Sequence, residues 1–144
     1  VTEVTLCDTV GFGNPGQVEE ITRACMENFP AVTFGVHLHN TRGLGLANAL
    51  KAYEAGIRIF DASIGGLGGC PFAPGASGNI ATEDIVFMFN QMGVETGVHL
   101  EKLLNTTQSL QAMLPDVPLT SALFHAGLPK RVDGNGFQGL KERP

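Results

Sequence analysis

The 144-residue sequence contains no tryptophan, a single tyrosine and few charged residues, which make up 16% of the chain. Its nine basic residues are outnumbered by fourteen acidic ones, so the formal net charge is −5. A chain of this charge lacks the basic surface with which proteins bind phosphate backbones or anionic lipids. No apolar run approaches the roughly 20 residues of a membrane-spanning helix. We therefore expect no nucleic-acid partner and no membrane partner.

Cysteine is also scarce, since Cys7, Cys25 and Cys70 form an odd set that contains no C-x-x-C pair. This pattern argues against a disulfide framework and against a zinc site made of thiolates. We expect a reducing compartment, either a cytoplasm or an organelle matrix. The hydrophobic fraction of 43% is sufficient for a chain of this length to bury a core.

Apolar periodicity alternates between two kinds of secondary structure along most of the chain. The predicted strands are residues 3–7, 31–38 and 57–62, with 79–81 as a minimal fourth, and the predicted helices are residues 17–29, 43–55, 82–92 and 99–114. Strands that alternate with helices through short connections are typical of a parallel sheet covered by helices. The right-handed crossover rule then leaves a doubly wound sheet or a barrel.

A change of composition divides the chain near residue 115. Residues 1–115 are predicted to form the folded part of the chain. Residues 116–144 carry three prolines and a charged, glycine-containing end without clear periodicity. Such a segment is typical of a tail that is partly disordered or docks against another surface.

The most informative short pattern is His37-Leu38-His39 at the end of the second predicted strand. Side chains two residues apart on a strand point to the same face, so both imidazoles can converge on one point. Neutral imidazole is the commonest metal ligand, and ligands of parallel α/β folds bind at the carboxyl ends of the strands. The pair therefore indicates a metal site. The structural alternative is one hydrogen-bonded core histidine and one exposed histidine.

Two aspartates end predicted strands at the same edge, Asp8 after the first strand and Asp61 after the third. Their carboxylates would gather near the imidazoles. Aspartate at a strand end also serves as a turn former or helix cap. We favour that structural interpretation for Asp61 and leave both interpretations open for Asp8.

Residues 64–79 form the longest glycine-rich segment and hold six of the 19 glycines. Long loops of this kind are usually functional or disordered. Cys70 lies within it, in the run GGLGGCP at residues 65–71. A thiol on a mobile loop can close over a site and transfer a proton. A phosphate cradle is disfavoured, because the run matches neither a Walker A motif nor a dinucleotide fingerprint.

Three segments together resemble the 3-hydroxy-3-methylglutaryl-CoA lyase family, whose members are metal-dependent lyases and synthases built on a TIM barrel. The segments are residues 8–16 (DTVGFGNPG), 37–43 (HLHNTRG) and 65–84 (GGLGGCPFAPGASGNIATED). The resemblance covers about residues 1–105. It implies an α/β fold of parallel (β/α) units corresponding to the second half of a TIM barrel, with a helical and partly irregular carboxy-terminal tail. Asn40 and Arg42 stand where the family often has Asp and an aromatic residue, which leaves the exact substrate open.

The resemblance also implies roles for individual residues. The metal ligands would be His37, His39 and Asn79, and the catalytic residues would be Cys70 on the glycine loop, Asp8 near the metal and Glu83 as a further polar residue of the site. Two imidazoles with oxygen donors suit Mg²⁺ or Mn²⁺ in octahedral geometry. Zinc prefers a softer, four-coordinate set.

The implied activity is the cleavage of 3-hydroxy-3-methylglutaryl-CoA to acetoacetate and acetyl-CoA, a carbon–carbon lyase reaction. Asp8 is then a candidate base for the tertiary hydroxyl, and Cys70 a candidate proton donor to the departing enolate. Three alternatives remain open. They are a related acyl-CoA condensing synthase, a hydroxy-keto-acid aldolase and a non-catalytic half-barrel that acts as a binding module.

The first four strands of the family's barrel, with their Arg-Asp-Glu motif, have no counterpart in this sequence. A closed barrel takes ~250 residues. We therefore expect the chain to be an incomplete part of the enzyme that is inactive alone, and Val1 in place of an initiator Met agrees with truncation. The expected partners are an acyl-CoA substrate and either the missing amino-terminal half-barrel or a second copy of the chain, in a homo-oligomer.

Overall fold

The structure is a computed structural model that describes residues 1–69 and 78–129. Three parallel strands, β1 (Glu3–Asp8), β2 (Thr33–Leu38) and β3 (Ile59–Asp61), form one sheet in chain order. The helices are α1 (Pro15–Asn28), α2 (Gly45–Ala55), α3 (Thr82–Gln91), α4 (Leu100–Met113) and α5 (Ala122–Ala126), and a 3₁₀ turn spans Ile64–Gly66. The predicted alternation of parallel strands and helices is confirmed.

The two faces of the sheet differ in burial. The core on the helical side consists of Phe34, Val36, Leu38, Ala49, Ala52, Ile57, Ile80, Ile85 and Phe89. On the other face, the alternate residues Glu3, Thr5 and Cys7 of β1 are exposed. The described part of the chain therefore covers one face of its sheet and leaves the β1 side of the other face open.

Local hydrogen bonds explain where the first two helices begin. α1 starts at Pro15, two residues before the predicted start, because Asn14 and Gln17 form a capping box in which each side chain accepts from the other's backbone N–H. α2 starts at Gly45, because the Asn40 side chain accepts from the Gly45 N–H at 3.0 Å. Gly56 ends α2 in the left-handed region that favours glycine, with φ of +118°.

The predicted fourth strand at residues 79–81 is reduced to two isolated bridges. Asn79 pairs with His39 in antiparallel sense, and Ala81 pairs with Ser63 in parallel sense. The segment leads directly into α3, so it has no room for a regular ladder. It nevertheless brings Asn79 to the end of β2.

The chain beyond residue 115 contains structure that the sequence pattern did not predict. Leu119 and Leu123 are buried, and the Thr120 N–H donates to the Gly65 carbonyl at 2.8 Å. Residues 119–126 thus pack against α3 and the 3₁₀ turn. Residues 130–144 lie outside the described chain, so the predicted tail stays a prediction. None of the helices in the described ranges is long and apolar enough to cross a membrane.

Candidate metal and catalytic site

Two histidines lie side by side at the carboxyl end of β2. His37 belongs to the strand and His39 follows it directly after Leu38. The two imidazole rings meet edge to face, with centroids 5.3 Å apart and planes inclined by 68°. The sheet register places Cys7 of β1 and Asp61 of β3 on either side of His37. The two predicted metal ligands of β2 are therefore neighbours.

His39 is the more buried of the pair, with only 7% of its surface exposed. Burial lowers the pKa of His39, the neighbouring His37 lowers it further, and the negative charge of Asp8 acts in the opposite direction. The lowered pKa favours the neutral imidazole, which is the form that binds metal ions. Its Nδ1 atom is buried and has no hydrogen-bond partner within the described ranges.

Asn79 reaches the same end of β2 through its bridge with His39. Its side-chain amide nitrogen donates to the Leu67 carbonyl at 2.7 Å. That bond orients the amide group and leaves Oδ1 buried without a partner in the described structure. Asn79 therefore presents an unsatisfied oxygen acceptor near two imidazoles.

These donors fit a divalent cation. Leaving a buried nitrogen or oxygen acceptor without a partner costs about 1–3 kcal/mol, a cost that coordination would remove. Two imidazoles and an amide oxygen suit Mg²⁺ or Mn²⁺, with water or substrate oxygens completing the coordination. Within residues 1–69 and 78–129, no three His, Cys, Asp or Glu side chains group closely enough to hold a metal ion. Asn79, which is not one of those residue types, is therefore the candidate third donor.

Asp8 ends β1 close enough for its charge to act on His39. Its Oδ1 accepts from the Phe12 N–H and its Oδ2 from the Gly13 N–H, both at 3.0 Å. The side chain thus organises the loop that follows β1 and at the same time supplies a carboxylate near the histidines. These hydrogen bonds support the interpretation of Asp8 as a turn former, and its catalytic role stays a prediction.

Glu83, the further polar residue implied by the resemblance, has a different environment. It is fully buried in the first turn of α3. Both carboxyl oxygens accept from the Gly65 N–H, at 2.9 and 3.0 Å, and the Thr107 hydroxyl donates to Oε1. None of its hydrogen bonds in the described structure goes to His37 or His39. These contacts favour a role in holding the 3₁₀ turn against α3 and α4.

The two remaining residues singled out in the sequence are Cys70 and Asp61. Cys70 lies outside the described residues, so its predicted catalytic role stays a prediction. Asp61 is exposed at the end of β3, opposite His37 in the register. No contact within the described ranges tests its interpretation as a turn former, which stays a prediction.

Sequence reasoning missed two residues that hold the loop after β1. The Arg42 guanidinium donates to the Val10 carbonyl at 2.9 Å, and the buried Asn48 side chain donates to the Gly13 carbonyl at 2.9 Å. Each pair is separated by more than 30 residues, so no local pattern connects its members. The sequence signal that could have pointed to Arg42 is its departure from the family pattern.

Comparisons with known proteins find relatives that are named as CoA lyases. The hydroxymethylglutaryl-CoA lyase YngG of Bacillus subtilis is 51% identical over 111 residues, which are 77% of this chain and 37% of the relative. The (R)-citramalyl-CoA lyase of Chloroflexus aurantiacus is 49% identical over 125 residues, which are 87% of this chain and 39% of the relative. The crystal structure of the Bacillus subtilis HMG-CoA lyase matches with a TM-score of 0.81 and 48% identity, covering 88% of this chain and 42% of that one.

The chain spans about two fifths of the length of these relatives. The matched solved structures are TIM barrels, which confirms that the parallel (β/α) units correspond to part of such a barrel. The HMGL-like family matches residues 1–110, a range that includes all three motifs. By this match over more than half of its length, the chain belongs to the HMGL-like family.

Proposed function

We propose that the chain is the carboxy-terminal part of a divalent-metal-dependent carbon–carbon lyase that cleaves 3-hydroxy-3-methylglutaryl-CoA to acetoacetate and acetyl-CoA. The observation that carries the proposal is the convergence of His37, His39 and Asn79, with His39 Nδ1 and Asn79 Oδ1 both buried and unpaired. The 51% identity to a hydroxymethylglutaryl-CoA lyase supports the choice of reaction.

In this proposal His37, His39 and Asn79 hold Mg²⁺ or Mn²⁺. The ion would supply Lewis acidity toward the oxygens of the substrate. Asp8, whose carboxylate is held by two amides of its own loop, takes the proton of the tertiary hydroxyl. The carbon–carbon bond then breaks, the hydroxyl carbon becomes the ketone of acetoacetate, and the electron pair stays with the acetyl-CoA enolate. Cys70 gives its proton to the enolate carbon, which completes acetyl-CoA.

A second substrate is favoured by the match to an (R)-citramalyl-CoA lyase, which extends over 87% of this chain. Both relatives are named for acyl-CoA thioesters. We therefore propose an acyl-CoA as the substrate class and the hydroxymethylglutaryl thioester as the first substrate to test. Cleavage of citramalyl-CoA at a higher rate would assign the chain to the second reaction.

The active enzyme in this proposal contains more than the described chain. The relatives are more than twice as long, and β1 has no strand on its outer edge within residues 1–69 and 78–129. We propose that an amino-terminal half-barrel, or a second copy in a homo-oligomer, covers this edge. The relatives include bacterial and mitochondrial proteins, so we propose a bacterial cytoplasm or a mitochondrial matrix as the compartment.

The test is to complete the chain with the amino-terminal part of the Bacillus subtilis relative and to measure acetoacetate formation in Mn²⁺. We expect turnover by the completed enzyme and none by the chain alone, unless two copies of the chain complete each other's barrel. Cys70→Ala in the completed enzyme should lower the rate by ~10²–10⁴-fold, the usual effect of losing a proton-transfer group. His37→Ala should also remove most of the activity, because it deletes a proposed ligand of the ion.

His99→Ala is the matched control, because His99 is exposed at the start of α4 and its side chain forms no cap hydrogen bond. This variant should keep the full rate. Near-normal turnover in Cys70→Ala or His37→Ala would contradict the proposed site.

A further inference from the structure

Arg42 directs all its described contacts to one loop, the segment between β1 and α1. Its Nη1 donates to the carbonyls of Val10 and Gly11, at 2.9 and 3.4 Å. Its guanidinium carbon lies 4.0 Å from the ring centroid of Phe12, in a cation–π contact. No carboxylate in the described ranges forms an ion pair with it. Arg42 thus contacts three consecutive residues of a loop that lies 30 to 32 positions away in the chain.

The loop between β1 and α1 also contains the two backbone amides that orient Asp8. The N–H groups of Phe12 and Gly13 each bind one oxygen of the Asp8 carboxylate at 3.0 Å. The fit is close, since a Cβ at Gly13 would lie 3.1 Å from Asp8 Oδ2. The Asn48 side chain anchors the far end of the loop at the Gly13 carbonyl. Moving the loop would therefore move the Asp8 carboxylate.

The Asp8 carboxylate matters for cation binding, because the three candidate ligands supply no negative charge. They are two neutral imidazoles and an amide. A nearby fixed carboxylate offsets the charge of a bound cation, and such supporting groups commonly change metal affinity by about 10–100-fold. Asp8 lies opposite Leu38 in the register of β1 and β2, and Leu38 stands between the two histidines. Cation binding at the site therefore depends on the orientation of the Asp8 carboxylate.

We propose that Arg42 is a positioning residue for the cation site: it holds residues 10–12 so that the Phe12 and Gly13 amides keep the Asp8 carboxylate beside His39, and thereby strengthens cation binding. The inference rests on the proposed function, because it takes the His37, His39 and Asn79 cluster as a divalent-cation site. It goes beyond that function by assigning a role to a residue outside the ligand set.

Electrostatics alone predicts the opposite effect of Arg42→Ala on cation binding. Arg42 is positively charged, so replacing it with alanine removes a repulsion and should strengthen the binding of a cation. Positioning predicts weaker binding, because the loop and the Asp8 carboxylate become free to move. The direction of the change therefore separates the two effects.

Arg58 provides a matched control. Its guanidinium carbon lies 4.3 Å from the Tyr53 ring centroid, and its Nη1 donates to the carbonyls of Tyr53 and Ile57, at 2.9 and 2.7 Å. It therefore makes the same kinds of contact as Arg42. However, it precedes β3, at the amino edge of the parallel sheet, whereas the histidines lie at the carboxyl edge.

The experiment is a titration of the full 144-residue chain with Mn²⁺, followed by electron paramagnetic resonance, for the parent, Arg42→Ala, Asp8→Asn, the double variant and Arg58→Ala. We expect Arg42→Ala and Asp8→Asn each to weaken Mn²⁺ binding by about tenfold. If Arg42 acts through Asp8, the double variant binds no more weakly than Asp8→Asn alone. Arg58→Ala should bind as the parent does. Unchanged or tighter binding by Arg42→Ala, or additive losses in the double variant, would overturn the inference.

Amide hydrogen exchange on the same metal-free proteins gives an independent readout. We expect the Phe12 and Gly13 amides to exchange faster in Arg42→Ala than in the parent or in Arg58→Ala. If the parent binds no Mn²⁺, the proposed cation site is wrong for this chain. The exchange result still decides the positioning role, since unchanged protection of these two amides would refute it.

Discussion

At the scale of single residues, neighbours in the sequence have different surroundings. His37 and His39 are chemically identical, yet only His39 is buried. Glu83 and Asp84 follow one another in the first turn of α3, but Glu83 binds Gly65 and Thr107 whereas Asp84 binds the start of α5. The sequence predicts the kind of chemistry that a side chain offers, while its partners come from distant segments.

Glu83 gives the clearest prediction at this scale. Glu83→Gln replaces an acceptor oxygen with an N–H donor in a fully buried site that contains the Gly65 N–H and the Thr107 hydroxyl. We expect the free energy of unfolding to fall by about 1–3 kcal/mol, as measured by urea denaturation. Glu101→Gln on the exposed start of α4 should change it by less than about 0.5 kcal/mol. Equal effects of the two substitutions would show that the buried contacts of Glu83 contribute little.

At the scale of elements, α5 shows how an unpredicted helix is held in place. Asp84 accepts from the Ser121 hydroxyl and the Leu123 N–H at 2.8 Å and from the Ala122 N–H at 3.0 Å. These donors lie at the helix start, where backbone N–H groups lack partners within the helix. A helix of five residues is too short to persist without such tertiary contacts. Because α5 has only five residues, apolar periodicity in the sequence could not reveal this helix.

We expect Asp84→Ala to loosen α5 without unfolding the sheet. The loss of these bonds should lower the free energy of unfolding by about 1–2 kcal/mol, as the loss of a helix cap does. The amides of Ala122 and Leu123 should also exchange faster with solvent. Asp116→Ala, at an exposed position before the helix, is the control. Unchanged exchange at both amides in Asp84→Ala would contradict this account of the helix.

At the scale of the whole molecule, the described chain is an open sheet. β1 lies at the edge of the sheet with its outward residues exposed. Several large apolar side chains of the described chain are also exposed, namely Phe12, Ile21, Phe29 and Met113. An unpaired strand edge beside apolar surface favours pairing with another chain.

We therefore predict that the 144-residue chain self-associates in solution, which sedimentation velocity would measure over a range of concentrations. Thr5→Lys places a charge on the open face of β1 and should weaken the association several-fold. Thr106→Lys, the same substitution on an exposed position of α4, should leave it unchanged. A strictly monomeric parent, or equal effects of the two variants, would show that the open face does not drive assembly.

The amino-acid sequence by itself determined the alternation of strands and helices, the pairing of His37 with His39 on one strand face, and the family resemblance. These features follow from periodicity and short motifs, which depend on neighbours a few residues apart. Only the tertiary structure decided that Glu83 is buried against Thr107 and that Arg42 holds the Asp8 loop. Those contacts join residues 24 and 32 positions apart, where packing, not local pattern, selects the partner.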